Sequence, residues 1–416
     1  MKSNSFKNIL NLWSHLDKKN KILFLATTFS SIIAAILETQ VLITFIPLIK
    51  KLTSNSNTEG LPEQYSLMFS GLYSQDTSTE KVLFIFSFLV IISAAIRLLF
   101  LYLASINAAS IGSHLSKLCF KSIIFTPYIN LIEEDTGKAV EKILGNISRV
   151  IKVILSCSVI ISSSFLTAAI IYSLILVDVK ITILFSTIIS LCYFILFKFA
   201  KLRLYKNGKI ILKSSEAIIS IGKETIYSIK DIIIKKLHLK YINKFQDIDV
   251  KLRRKQAEAQ FISLYPRYIL EAVAILILTN IAYNLGKNEL NSNILPKLGF
   301  FSLGFIRLLP ALQQIYSRIS KIKTFLSSIE SLNAALLPKN EFKKLEIKNT
   351  LSIKPKKLKL SNNIIEAKNI SFKYPRSKNK IIKNFNIEIK KGKHYAVIGK
   401  SGTGKSTLID LLLGIL

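Results

Sequence analysis

The chain has 416 residues, and half of them are hydrophobic, yet 58 Lys and Arg face only 25 acids, a formal net charge of +33. Mean hydropathy is +0.40. A disordered tail is excluded by that hydrophobicity, and a nucleic-acid binder would carry the charge without long apolar runs. Together the two features point to a membrane protein whose cations collect in its inner loops. Cys119, Cys157 and Cys192 are too few and too scattered for a disulfide framework or a zinc site. No signal peptide is expected, because the first apolar run is too long for a signal core and lacks a small-residue cleavage site.

About 20 mostly apolar residues cross a bilayer as a helix. Six stretches meet that length: Ile22–Ile49, Val82–Ala108, Val150–Val177, Val179–Ala200, Phe261–Leu285 and Ile294–Ile315. They are apolar on every face, unlike the one-sided stripe of a soluble helix. The loop Leu52–Glu80 has no Lys or Arg but four acids, whereas Lys201–Gln260 has fifteen Lys or Arg, and the N-terminal tail adds Lys2, Lys7, Lys18 and Lys19. The positive-inside rule therefore places the tail and Lys201–Gln260 in the cytoplasm and Leu52–Glu80 outside. Six spans return the C-terminus to the cytoplasm. Asp178 must sit in a tight outer turn, and Gly286–Asn293 is a second short outer connection.

The two inner connections, Ser110–Arg149 and Lys201–Gln260, are long and amphipathic. Ile229, Ile232, Ile233 and Lys236, then Leu237, Tyr241, Lys244 and Phe245, follow helical spacing. Charged helices of this length are expected to act as stalks that reach another domain.

After Glu330 the composition shifts. A Lys-rich stretch with Pro338 and Pro355 reads as a linker, 336–362. Ile364–Tyr374 and Ile381–Ile389 read as strands, the second closed by the turn Lys390–Lys393, and His394–Ile398 reads as a short apolar strand. It leads into Gly399-Lys400-Ser401-Gly402-Thr403-Gly404-Lys405-Ser406, the P-loop pattern. Glycines let the loop turn its N–H groups inward around phosphate oxygens. Lys405 is placed to reach the outer phosphates, and the Ser406 hydroxyl to hold Mg²⁺. The run Thr407–Leu413 supplies a helix whose positive end faces the anion. Tyr374 stands where an aromatic ring can stack on adenine.

With these motifs the chain resembles the ATP-binding cassette (ABC) transporters of the exporter type. The P-loop through Thr407, the lead-in Asn384–Gly392 and Tyr374 carry the resemblance most specifically. Ile221–Asp231 resembles the second coupling region, which presses on a partner's ATPase domain, and Ser122–Tyr128 the first. Arg307–Ile315 and Pro266–Glu271 resemble flippases of lipid-linked oligosaccharides. The resemblance implies a mostly α fold: a six-helix transmembrane exporter domain (1–335) with cytosolic helical extensions, then the start of an α/β P-loop ATPase domain (363–416). It implies ATP and Mg as cofactors, the lipid bilayer as environment, and a homodimer or a partner half-transporter as the working unit. Nucleic acid is not expected as a partner. The expected location is the plasma (inner) membrane, multi-pass, with both termini cytoplasmic. The family's later ATPase motifs (Gln loop, signature, Walker B acid with its Glu, switch His) have no counterpart up to Leu416. The expectation is a chain truncated after its P-loop helix, without catalytic residues of its own, through a shortened gene, a split gene with the rest on a separate chain, or an incomplete record. Rival readings are a peptide or drug exporter and a membrane-anchored fragment without transport activity.

Among the ionisable residues within the spans, Glu38, Arg97, Glu271 and Arg307 stand out. Each costs about 2.5–3.5 kcal/mol or more at the bilayer centre, so each needs a partner or a water-filled cavity. Two readings follow. One pairs Glu38 with Arg97 and Glu271 with Arg307. The other makes Arg97 and Arg307 cavity-lining donors for a substrate phosphate, a role suited to the planar guanidinium fork.

Overall fold

The computed structural model describes residues 3–52, 78–126, 128–129, 140–288, 294–336, 363–375, 377 and 379–416. The acid-bearing loop 53–77, most of the linker (337–362) and Pro127 of the first coupling stretch lie outside them. A short helix, α1 (Ser3–Ser14), precedes the first long one, α2 (Lys18–Leu52). Then come α3 (Thr79–Ile124) and α4 (Ile147–Val177), the latter entered through a π-helical turn at Lys142–Asn146. The chain continues through α5 (Val179–Tyr227), the short α6 (Ile229–Ile234), α7 (His238–Leu264), α8 (Pro266–Asn288) and α9 (Ile294–Ala335). Strands β1 (Asn363–Phe372) and β2 (Ile382–Lys390) pair antiparallel, and α10 (Lys405–Leu412) closes the chain.

Among the described residues, six helices or continuous helical stretches are long and apolar enough to cross a membrane. Their flanks carry large apolar side chains that face away from the protein: Phe84, Leu98, Phe199 and Leu276 are each 70% exposed or more. Hydroxyls inside the spans bond back to their own helix. Thr27, Ser30 and Ser31 donate to the carbonyls of Phe24, Thr27 and Thr28. That local bond satisfies a polar group where no water is at hand.

The tight turn expected at Asp178 is present. Its backbone is extended, and its carboxylate caps α5 by accepting from the Ile181 N–H at 3.1 Å. At 49 residues, α5 is about 74 Å long at 1.5 Å per residue, more than twice the hydrocarbon thickness of about 30 Å. The expected stalk is therefore real, but it is not one helix. It ends at Tyr227, resumes as α6, and breaks again at Lys236, whose φ is +53°. There the Leu237 N–H donates to the Ile232 carbonyl and the Lys236 N–H to that of Ile233, the paired bonds of a Schellman stop. The helical spacing of the sequence does not register this stop because a lysine occupies the left-handed position usually held by glycine.

Two cores hold the bundle. In one, Leu42, Leu174, Phe185, Leu270, Phe300 and Phe305 are all but fully buried, and the rings of Phe185 and Phe305 stack 3.6 Å apart. In the other, Leu12, Ile111, Leu115, Val150, Ile329 and Leu332 seal α1 against α3, α4 and α9. A third, smaller cluster with Leu204, Ile211 and Leu252 zips the stalk helices α5 and α7 together.

One departure concerns His394–Ile398, expected as a strand. These residues form no ladder, and Tyr395, Val397 and Ile398 stand exposed, Ile398 at 92%. A parallel strand needs neighbours on its edges, and the described residues supply only the β1–β2 hairpin.

The helices α5 and α9 meet backbone to backbone at Gly208. A Cβ on Gly208 would lie 1.8 Å from the Thr324 carbonyl oxygen, an obstacle of backbone that no side-chain rotation removes. Gly208→Ala is expected to destabilise the bundle by about 3 kcal/mol or more, at or beyond the upper end of overpacking costs. Thermal unfolding in detergent measures this. Gly222→Ala, with no atom within 4 Å of the new methyl, should leave the transition in place or raise it slightly.

Candidate functional site

The Gly-rich loop lies between β2 and α10. Gly402 and Gly404 have φ of +81° and +90°, a left-handed backbone that favours glycine. A Cβ at Gly404 would also sit 2.6 Å from Ile381 Cγ2, at the entry to β2. Gly404 is the N-cap of α10, so the helix starts at Lys405 and its first N–H groups open toward the loop. Lys405 bends back over the loop, its Nζ donating to the carbonyls of Gly399 (2.6 Å) and Lys400 (2.8 Å). Thr403 Oγ1 donates to the same Lys400 carbonyl at 2.8 Å. The ammonium is thus held over a concave backbone turn at a helix N-terminus, a geometry that accepts phosphate oxygens.

Ser401, Gly402, Thr403 and Ser406 are exposed on this loop, while Thr407 is buried. Thr407 Oγ1 lies 3.3 Å from the Tyr374 hydroxyl, and the Tyr374 ring meets Phe372 edge-on at 5.0 Å. The structure thereby brings Tyr374 to the first turn of the P-loop helix across 33 residues of sequence. Among the described residues no group of three or more His, Cys, Asp or Glu forms a metal cluster. A cation near Ser406 would therefore depend on the Ser406 hydroxyl and on phosphate oxygens.

Of the two pairings expected, Glu38 with Arg97 is present and Glu271 with Arg307 is not. Glu38 on α2, with a side chain 6% exposed, faces Arg307 of α9 at 2.5 Å and Arg97 of α3 at 3.7 Å. Glu271 does not pair with Arg307. It lies 3.9 Å from Arg267, one turn earlier on α8. The i,i+4 spacing of Arg267 and Glu271 was the signal for that partner. Glu38, Arg97 and Arg307 line a cavity of about 530 Å³ with Pro310. A neighbouring cavity of about 420 Å³ holds Arg267 and Glu271 and shares Pro310. Pro310 lies inside α9 and has no N–H to give to the preceding turn, so the helix is weakened beside Arg307. One carboxylate between two guanidiniums leaves the first cavity with an excess positive charge.

Comparison with known proteins places residues 382–416 in the ABC transporter family. The chain is 52% identical over 58 residues to a lacticin-481/lactococcin-DR transport/processing ATP-binding protein of Lactococcus lactis subsp. lactis, 14% of this chain and 8% of that one. It is 42% identical over 50 residues to a glutathione/L-cysteine transport system ATP-binding/permease protein of Haemophilus influenzae, 12% of this chain and 9% of the relative. It is 45% identical over 49 residues to an ATP-dependent lipid A-core flippase of Pseudoalteromonas translucida, 12% and 8% of the two chains. These matches therefore span less than a tenth of each of these three relatives' length.

Fluorescent ATP titrated onto the purified chain tests the loop. Lys405→Ala should weaken binding at least tenfold, because a hydrogen bond to a charged group contributes about 1.5–3 kcal/mol. Gly404→Ala should weaken it as well, by straining the turn and meeting Ile381.

Proposed function

We propose that this chain, of the ABC exporter type by its six membrane-length helices and its ATP-binding segment, works as half of an ATP-driven exporter for a phosphate-bearing amphiphile. Residues 1–335 form the membrane unit, 336–362 the linker and 363–416 the N-terminal part of the nucleotide-binding domain. Two halves are needed, from a second copy or a partner half-transporter. Both termini face the cytoplasm of the plasma membrane.

The chain's own residues would hold nucleotide in distinct ways. The backbone N–H groups of Gly399–Thr407 cradle phosphate oxygens. Lys405 moves its ammonium from the Gly399 and Lys400 carbonyls to the outer phosphates. Ser406 contributes a hydroxyl to Mg²⁺, which when bound offsets charge on those phosphates. Tyr374, fixed by its contact with Thr407, offers a ring face to adenine.

The observation that carries the substrate reading is the unequal charge around Glu38. Two arginines converge on one carboxylate in a cavity inside the bundle. An unpaired phosphate is prohibitively costly in hydrocarbon. Guanidinium donors replace its water with charge-assisted hydrogen bonds. Arg97, half exposed, and Arg307, 28% exposed, retain free donors for such a group. Glu271, paired with Arg267 in the adjoining cavity, lines the path beside them. The flippase relative, named for lipid A core, supports a lipid-linked saccharide or another amphipathic lipid as cargo.

Flipping of a pyrophosphate-linked lipid in proteoliposomes is the test, with the assembled transporter. Arg307→Ala should leave expression intact and reduce flipping at least tenfold, and Arg307→Lys should fall between. Glu38→Gln frees both arginines and should impair folding or expression only if the triad is purely structural. Normal flipping by Arg307→Ala at normal expression would remove the cavity role and favour a peptide or drug cargo.

A further inference from the structure

A cavity of about 760 Å³ lies away from both sites above, between the first turns of α4, α5 at Ile211, the last turns of α7 and α9 at 317–325. Four cations line it: Arg149 and Lys152 from α4, Arg318 and Lys321 from α9. Among the described residues no carboxylate lines it. Arg149 is already committed, to the buried Glu141 at 2.5 Å and to Ser215 Oγ at 2.8 Å. The π-helical turn just before α4 sets Glu141 against Arg149. Such turns often mark sites where a helix is reshaped for function.

The other three cations are not neutralised. Among the described residues, none of Lys152, Arg318 and Lys321 has an ion-pair partner. Both Arg318 and Lys152 act electrostatically on Lys321. Lys152 and Lys321 are exposed and Arg318 is half-buried at this cleft; three like charges gathered there repel one another, and a bound anion relieves that repulsion. The rest of the lining is mixed: Gln256 and Gln260 offer amide donors, Leu155 and Phe325 offer apolar wall. Arg318 and Lys321 continue the face of α9 that carries Arg307 and Gln314, by the spacing 307, 314, 318, 321. Lys321 stands about 21 Å from Arg307 along the helix, six residues past the apolar stretch that ends at Ile315.

We propose that this cavity binds a phosphate group carrying at least two negative charges, either as the headgroup of a membrane lipid or as a soluble phosphate compound. Three cations ask for more than one negative charge, and the Arg318 fork fits phosphate oxygens two at a time. The exporter reading above supplies the orientation and the reason for a site on the same helix face as Arg307. The anion chemistry stands without it.

The test is native mass spectrometry of the purified full chain in detergent micelles. The probes are dioleoyl phosphatidic acid, dioleoyl phosphatidylcholine and inorganic pyrophosphate. Phosphatidic acid should bind more tightly than phosphatidylcholine, with an affinity that falls at least tenfold in Arg318→Ala/Lys321→Ala. The charge-keeping Arg318→Lys/Lys321→Arg variant should retain most of it and guards against a folding defect. Lys213→Ala, which removes an exposed cation of α5 outside the cavity, should change nothing. Competition by pyrophosphate identifies a soluble phosphate as a sufficient ligand. Phosphatidic acid binding that pyrophosphate does not displace assigns the site to a lipid headgroup. The proposal is overturned if neither phosphate probe binds above the phosphatidylcholine level, or if the double alanine variant binds both as the unmodified chain does. Because this readout needs no transport, a flipping assay that eliminates Arg307 would leave it standing, and its own failure would leave the Arg307 reading untouched.

Discussion

A bilayer offers no water to an unpaired backbone group, so each crossing segment must satisfy its own N–H and C=O groups as a helix. Every other feature of this chain is arranged within that constraint. It makes the six crossings long helices, turns serine and threonine hydroxyls back onto their own carbonyls, and forbids a lone charge. Glu38 is tolerated because two arginines from two other helices surround it. The same rigidity lets helices run past the membrane. The Asp178 cap starts α5 at one face, and the helix ends about 74 Å away.

α9 joins the functional regions. It packs on α2, α4, α5 and α7, carries Arg307 against Glu38, and precedes in sequence the strands that lead to the Gly-rich loop. Its contact with α5 is made at Gly208, where backbone meets backbone. Beside Arg307, the missing N–H of Pro310 leaves one weak turn.

Much of this was legible in the sequence, for physical reasons particular to each element. The spans and the turn at Asp178 follow from hydropathy and one capping side chain. The Gly399–Ser406 loop follows from backbone demands that few other residues meet, and its φ values bear this out. The partner of Arg307 was not legible. Hydropathy sets how deep a residue lies but not which way its helix is rotated, so Glu38, 269 positions away, could not be told from Glu271. The stop at Lys236 was hidden because a lysine takes a conformation usually reserved for glycine. The strand expected at His394–Ile398 is set by neighbours rather than by its own residues. The cation cavity needed four helices to be placed before its charges met.

The central claim is a six-span protein with its basic stalk and its ATP-binding segment on the cytoplasmic side. Single cysteines in a background lacking Cys119, Cys157 and Cys192 test it most directly. Ser56→Cys lies in the acid-bearing loop, outside the described residues, and Lys230→Cys lies on exposed α6 at the stalk tip. In intact cells an impermeant maleimide should label Ser56→Cys and reach Lys230→Cys only after lysis. Labelling of Lys230→Cys in intact cells, with Ser56→Cys protected, would contradict the account.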